Sequence, residues 1–133
     1  MDDLEAIRRL IADYCFHTDV SDVDRLLELF TEDFDFTGVF GDFHGHDGMR
    51  ALHARTADRP KGTARHITTN TVIDLDGDTA TARSYILVLS VEQTVTIRFS
   101  GGYYDRFVKK DGRWYFRSRH IYATPSDARN PPN

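Results

Sequence analysis

Residues 63–91 read TARHITTNTVIDLDGDTATARSYILVLSV, and this stretch decides the fold class. Its first part, Thr63 to Leu75, is rich in Thr, Ile and Val, residue types that favour strands. Asp76-Gly77-Asp78 is a turn signal, and Thr79 to Val91 predicts a strand that pairs with the first. The stretch therefore predicts a long antiparallel hairpin.

More strands follow this hairpin. A third strand is predicted from about Thr94 to Lys109, with a bend or bulge at Gly101-Gly102. Lys110-Asp111-Gly112 is a second turn signal, and Arg113 to Ala123 predicts the last strand. The second half of the chain is thus predicted to be β-structure.

The first half of the chain is predicted to be helical. Apolar residues at spacings of three and four predict an amphipathic helix that ends near His17. The members of this apolar stripe are Leu4, Ile7, Leu10, Ile11, Tyr14 and Cys15. Ser21 is the predicted N-cap of a second helix that ends near Thr31, and Asp47 that of a third helix that stops before Pro60.

Helices followed by hairpin-linked strands predict an α+β fold. A short strand, Phe34 to Phe36, is predicted between the second and third helices. The later strands are too long for a small flat sheet, so strong curvature is expected. A curved sheet closed by helices forms a cone with an apolar interior, a natural ligand cavity. We predict one domain over residues 1–123 and a tail over residues 124–133.

Composition argues against several functional classes. The chain has 133 residues, is 40% hydrophobic and carries a net charge of −4, which argues against a broad nucleic-acid surface. Its single cysteine, Cys15, excludes an intrachain disulfide and a multi-thiolate metal site, and is interpreted as a core residue. The sequence shows no signal-peptide pattern and no apolar run of membrane-spanning length. The cytoplasm is therefore the predicted location.

Asp19 and His66 are the candidate catalytic pair. Asp19 ends the first predicted helix, and His66 lies within the first long strand. If the fold brings them together in an apolar pocket, His66 is a general base and Asp19 its orienting carboxylate. Imidazole suits this chemistry because its unperturbed pKa lies near neutrality.

Several short segments, in this order and spacing, resemble a known family. They are residues 7–14 (IRRLIADY), Asp19, 22–26 (DVDRL), 29–33 (LFTED), 65–67 (RHI) with Asn70, 76–80 (DGDTA), 102–107 (GYYDRF) and 111–116 (DGRWYF). From Leu4 to about Tyr122, the chain resembles the SnoaL-like group of the NTF2-like superfamily. The resemblance implies a cone-shaped α+β barrel with N-terminal helices on a strongly curved, mostly antiparallel sheet.

The resemblance also implies an activity. In scytalone dehydratase, bile-acid dehydratase and lindane dehydrochlorinase, an aspartate after the first helix orients a histidine of the first long strand. Asp19 and His66 match these residues, and Tyr14 matches a tyrosine of bile-acid dehydratase. The reactions implied are eliminations without a metal or cofactor. Ser90 stands where scytalone dehydratase has a second histidine, and His120 lies near the polar residue of its final strand.

The last strand offers two faces by alternation. Trp114, Phe116, Ser118, His120 and Tyr122 share one face, and Arg113, Tyr115, Arg117 and Arg119 share the other. If the first face points into the cone, Phe116 and His120 line the pocket, and His120 could protonate a leaving hydroxyl. Arg117 and Arg119 are then solvated or at an interface.

Further candidate residues complete the predicted site. Tyr14 lies on the apolar stripe, where it either packs in the core or donates a hydrogen bond to a developing oxyanion. The predicted substrate-binding residues are Phe36, Ser90, Phe116 and His120.

The remaining histidines do not predict a metal site. His44, His46 and His53 match no closed ligand spacing such as H-E-x-x-H. His17 is interpreted as a surface residue at a helix end. We therefore predict no metal, and the eliminations that the resemblance implies need no cofactor.

The predicted function is a dehydratase-type lyase that acts on a small apolar cyclic or polycyclic metabolite. One alternative is a ketosteroid-isomerase or polyketide-cyclase type of reaction, in which Asp19 or His66 shuttles a proton without a leaving group. Another is a non-catalytic ligand-binding or oligomerisation module. An arginine-rich sheet face that carries Tyr115 and Ile121 predicts self-association, and the family resemblance implies a homodimer or homotrimer.

Overall fold

A computed structural model describes residues 1–123, so the predicted tail from Thr124 lies outside the described residues. The helices are α1 (Asp3–Asp19), α2 (Val23–Leu27) and α3 (Gly45–Ala54). The strands are β1 (Phe30–Gly38), β2 (Phe43–His44), β3 (Ala64–Asp76), β4 (Thr79–Val91), β5 (Val95–Lys110) and β6 (Arg113–Tyr122). None of the helices in residues 1–123 is long and apolar enough to cross a membrane.

The strands form one six-stranded sheet in the order β2-β1-β6-β5-β4-β3. The predicted hairpin is confirmed, because β3 pairs antiparallel with β4 up to Asp76 opposite Thr79. A second tight turn joins β5 to β6, where Asp111 and Gly112 both adopt positive φ angles. Only β1 and β6 pair in parallel within this part of the chain, so the mostly antiparallel α+β fold is confirmed.

Bulges curve the long strands. In β3 the register shifts between Thr69 and Val72, and Asn70 there has a φ of 58°. In β5 an extra residue, Arg98, falls where Val88 and Leu89 change register. This bulge lies three residues before Gly101, where the bend was predicted. The two glycines instead make room for Tyr122, because a Cβ at either position would clash with that residue.

A bulge in β6 overturns the predicted assignment of its two faces. Phe107 pairs with Phe116 but Arg106 pairs with Ser118, so Arg117 is the extra residue. Side chains after it change face: Trp114 and Phe116 point inward, as do Arg119 and Ile121. The prediction that Arg119 is solvated or at an interface is wrong, because its side chain is fully buried within the fold. The prediction that His120 points into the cone is also wrong.

The two later helices begin differently from the predictions. Ser21 has a φ of 57°, so the chain turns there and Asp22, not Ser21, caps α2 by accepting a hydrogen bond from the backbone N–H of Arg25. The short α2 ends before Phe30, which begins β1 rather than extending the helix. The third helix has His44 as its N-cap, with no side-chain hydrogen bond, and Asp47 lies in its first turn.

The core lies between the helices and one face of the sheet. α1 packs against β3 and β6, and α3 packs against β1 and β2. Aromatic rings dominate the contact, with Phe30 stacked on Phe34 at 4.1 Å and Phe107 4.8 Å from Phe116. Each fully buried aromatic side chain contributes about 1.5–3 kcal/mol to stability. A cavity lies beside this core, and Tyr14, Phe36, Tyr103 and Ile121 belong to both.

Candidate active site

A cavity of about 420 Å³ opens between α1, α3 and the sheet. Its walls are largely apolar and include Phe36, Leu52, Val88, Phe99 and Ile121. The lining also includes the polar residues Tyr14, Asp19, His53, His66 and Tyr103. A mostly apolar cavity of this size with a few polar groups is typical of small-molecule sites.

Asp19 and His66 meet on the wall of this cavity. His66 Nδ1 lies 2.6 Å from Asp19 Oδ1, and the backbone N–H of His66 donates to both carboxylate oxygens at 3.0 and 3.1 Å. Both side chains are mostly buried, with 19% of His66 and 17% of Asp19 exposed. Three hydrogen bonds from one residue therefore fix the carboxylate and the ring together.

The path of α1 along β3 explains this meeting. The side chains of Cys15 and Thr68 are in contact, with Sγ 3.3 Å from Oγ1. Four residues further along the helix is Asp19, a rise of about 6 Å, and two residues back along the strand is His66, about 6.6 Å away. The helix and the strand run in opposite directions, and the two distances are nearly equal. The contact between Cys15 and Thr68 therefore places Asp19 next to His66.

The Asp19 contact determines the tautomer of His66. A carboxylate only accepts hydrogen bonds, so the proton of the neutral ring lies on Nδ1. Nε2 then carries a free lone pair and can accept a proton. The carboxylate also stabilises the imidazolium that results, so His66 has the arrangement of a general base.

Two tyrosines form another part of the cavity wall. The rings of Tyr14 and Tyr103 meet edge to face at 6.3 Å. Burial raises the pKa of both phenols, and the positive charge of Arg119 opposes the rise in each case. Both hydroxyls are therefore protonated at neutral pH and can donate hydrogen bonds.

A buried ion pair supports these tyrosines. Arg119 donates to Asp105 through Nε at 2.7 Å and Nη2 at 3.0 Å, and neither side chain is exposed. The Arg119 guanidinium carbon lies 3.5 Å from the ring centre of Tyr103 and 4.3 Å from that of Tyr14. Burial alone would lower the pKa of Arg119, but the carboxylate of Asp105 raises it. A permanent cation thus lies behind both phenols.

The sequence of the chain matches the family profile described as SnoaL-like domain over residues 1–120. The chain is a SnoaL-like domain protein. No curated protein matches its sequence significantly.

Solved structures share this SnoaL-like fold. A cystatin-fold protein of unknown function from Nostoc punctiforme is 28% identical, with a TM-score of 0.83 over 93% of this chain and 92% of that one. A candidate scytalone dehydratase from Novosphingobium aromaticivorans is 28% identical, with a TM-score of 0.78 over 92% and 84%. ActVI-ORFA from Streptomyces coelicolor is 26% identical, with a TM-score of 0.79 over 90% and 95%.

The predicted site residues of this SnoaL-like domain are only partly brought together. Tyr14, Asp19, His66 and Phe36 line the cavity. Phe116 is fully buried behind Tyr14, and Ser90 pairs with Ala64 at the end of the sheet, outside the cavity lining.

His120 belongs to a different cavity. It accepts or donates a hydrogen bond with Thr37 at 2.8 Å and lines a second space of about 480 Å³, beyond the sheet from His66. The β6 bulge is the reason, because it turns His120 away from the interior. Ile121 takes the inward place instead, which removes it from the face predicted to associate.

The structure adds His53 and Thr18 to the site. Both line the cavity, and His53 Nε2 and Thr18 Oγ1 are buried without a hydrogen-bond partner in residues 1–123. Such atoms in a cavity wall are suited to a polar group of a ligand. Spacing along α3 carried the signal, because His53 is four residues after the fully buried Met49.

His44 and His46 lie outside the lining of the candidate active site. His44 contacts Asp35 at 2.6 Å, and His46 Nε2 lies 3.4 Å from the carbonyl oxygen of Phe30. Within residues 1–123, no three or more His, Cys, Asp or Glu side chains are grouped so as to hold a metal.

His53 predicts a pH dependence of stability. Burial, and then charge on His66, lower the pKa of His53 in the folded protein. Below about pH 6.5 the unfolded chain therefore binds more protons at this position, so the free energy of unfolding falls as the pH falls. We expect His53→Phe to lose less stability than wild type between about pH 7.5 and 5.5, measured by urea unfolding. The control is His17→Phe, which should lose as much stability as wild type. If the free energy of unfolding of His53→Phe falls as much as that of wild type over this pH range, the prediction is contradicted.

Proposed function

We propose that this protein is a cofactor-independent lyase that eliminates water from a small cyclic ketone. The Asp19–His66 hydrogen bond at the wall of an apolar cavity is the observation that carries the proposal. It supplies an oriented base with a free Nε2 in surroundings that hold an apolar ring.

The proposed reaction begins with proton abstraction next to a carbonyl. His66 Nε2 takes the proton from the α-carbon, and the electron pair of the C–H bond forms an enolate. Tyr14 and Tyr103 donate hydrogen bonds to the enolate oxygen, and the cation of Arg119 behind them favours the negative charge. Asp19 does not touch the substrate, and it stabilises the imidazolium that forms on His66.

Loss of water completes the reaction. The enolate electrons form the α,β double bond as the bond from the β-carbon to its hydroxyl oxygen breaks. The proton on His66 returns to the departing hydroxide, so water leaves and the enzyme regains its starting state. His53 Nε2 and Thr18 Oγ1, which have no partner among residues 1–123, are suited to hydrogen-bond the substrate oxygens.

Isomerisation is the second candidate, and the position of His120 favours it. The histidine predicted as an acid for the leaving hydroxyl lies in the other cavity, so in the dehydration His66 has to protonate the leaving oxygen as well as take the proton from carbon. Isomerisation has no leaving group to protonate. A reaction in which His66 returns its proton to another carbon of the same substrate needs no second acid. The base, the tyrosines and the cavity serve this reaction equally.

Two simple ketones distinguish these activities. 3-Hydroxy-1-tetralone loses water to give 1-naphthol, which is followed by fluorescence, and 3-cyclohexen-1-one isomerises to the conjugated 2-cyclohexen-1-one, which is followed by absorbance. We expect the wild-type protein to accelerate 1-naphthol formation, with His44→Gln, whose side chain is outside the cavity, as an equally active control. Acceleration of the second reaction alone would replace the lyase with an isomerase. Acceleration of neither would leave a binding module.

A further inference from the structure

Three arginines surround the opening of the candidate active site. Arg55, Arg59 and Arg98 line the same cavity as His66, and all three are exposed. A residue that lines a cavity and is also exposed lies at its mouth. The mouth is therefore rich in positive charge, although the whole chain has a net charge of −4.

Negative charge at this cavity is scarce. Asp19 is the only carboxylate among its lining residues within the described chain, and it is bound to His66. Arg55 has contacts of its own, since it donates to the carbonyl of Phe40 and lies over the ring of Phe43. Arg59 and Arg98 take part in none of the ion pairs of residues 1–123.

The second cavity provides a contrast. There Asp35, Asp74 and Asp105 share the lining with four arginines, two of which, Arg117 and Arg119, lie within 4 Å of carboxylate oxygens. Unbalanced cations at a cavity mouth raise the local concentration of anions and orient them on entry. The charge at the mouth of the first cavity is thus available to a ligand.

We propose that the ligand of this cavity carries a carboxylate, which Arg59 and Arg98 bind at the mouth while an apolar ring occupies the interior. This inference rests on the proposed function for the site and narrows its substrate class to cyclic ketones that bear an acidic group. Such a ligand matches the apolar walls, the polar atoms within and the cations at the rim.

The size of the effect follows from the exposure of the arginines. Exposed ion pairs each contribute little, so a small number of them predicts a preference of about 3–30-fold for an anion over its neutral analogue. Screening weakens such interactions, because the Debye length falls to about 3 Å at 1 M salt. A salt-sensitive preference of moderate size is therefore expected.

2-Naphthoate and 2-naphthamide test this inference by binding alone. They share one ring system and differ in charge, and their fluorescence reports binding. We expect wild type to bind 2-naphthoate about 3–30-fold more tightly than 2-naphthamide at about 20 mM salt, and the ratio to approach one at about 1 M. The double variant Arg59→Gln/Arg98→Gln should lose the preference while retaining its affinity for 2-naphthamide. The matched control is Arg83→Gln/Arg106→Gln, whose arginines line the other cavity.

The outcomes separate this inference from the proposed reaction. Equal binding of both ligands by wild type, or a preference that survives in Arg59→Gln/Arg98→Gln, overturns the inference. His66→Gln should keep the preference for 2-naphthoate. If wild type selects the carboxylate but does not act on the ketones, the inference is supported and the lyase is rejected. Binding of neither ligand rejects both.

Discussion

Replacing His66 by glutamine is expected to lower the rate of 1-naphthol formation from 3-hydroxy-1-tetralone by about 10²–10⁴-fold. Glutamine can still donate a hydrogen bond to Asp19, but its amide cannot take a proton from carbon at neutral pH. The change should appear in kcat, because the apolar walls that hold the ring are unchanged. Steady-state kinetics by naphthol fluorescence measure it.

Asp19→Asn shows whether the carboxylate acts through His66. The amide oxygen can accept from Nδ1, but the charge that stabilises the imidazolium is gone, so kcat should fall while the affinity for 2-naphthamide stays unchanged. Retained kcat in either variant would contradict the assignment of the base. Weaker binding of 2-naphthamide together with lower kcat would indicate a structural role for the pair instead.

Local patterns place both members of this pair on their elements, but the resemblance to the SnoaL-like group is what singles them out as a pair. Asp19 follows an apolar stripe with helical spacing, and His66 lies in a strand rich in Thr and Ile next to a clear turn signal. These patterns do not show how close the side chains of Asp19 and His66 are. That distance depends on the direction in which α1 crosses β3, which only the packed structure provides.

The inner wall of the site could not be derived in the same way. Strict alternation in β6 predicts His120 inside and Arg119 outside, but one extra residue at Arg117 reverses both. Nothing in the segment Arg113–Tyr122 signals a bulge, since it contains neither glycine nor proline. The inward position of Tyr103 could have been predicted from the sequence, because Tyr103, Asp105 and Phe107 alternate on the inward face of β5. A charged residue within that alternation indicates a buried partner.

Asp105→Asn is expected to lower the free energy of unfolding by about 3–5 kcal/mol. Arg119 and Asp105 are both fully buried, so loss of the carboxylate leaves a guanidinium without a counter-charge in the core. Arg119 cannot escape by losing its proton, because guanidinium stays charged in proteins. The urea unfolding midpoint should fall without a change in the slope of the transition, which would show that stability alone has changed.

Two variants show whether the unpaired charge causes that loss. Asp105→Leu combined with Arg119→Met removes both charges and keeps apolar volume, so it should recover much of the stability that Asp105→Asn loses. Asp24→Ala breaks the exposed contact with Arg50 and should change stability by less than about 1 kcal/mol. If the double variant is less stable than Asp105→Asn, the cation contributes to stability directly, through the rings of Tyr14 and Tyr103 that it contacts. The ion pair would then hold the tyrosines in place for the proposed oxyanion contact rather than merely satisfy its own charges.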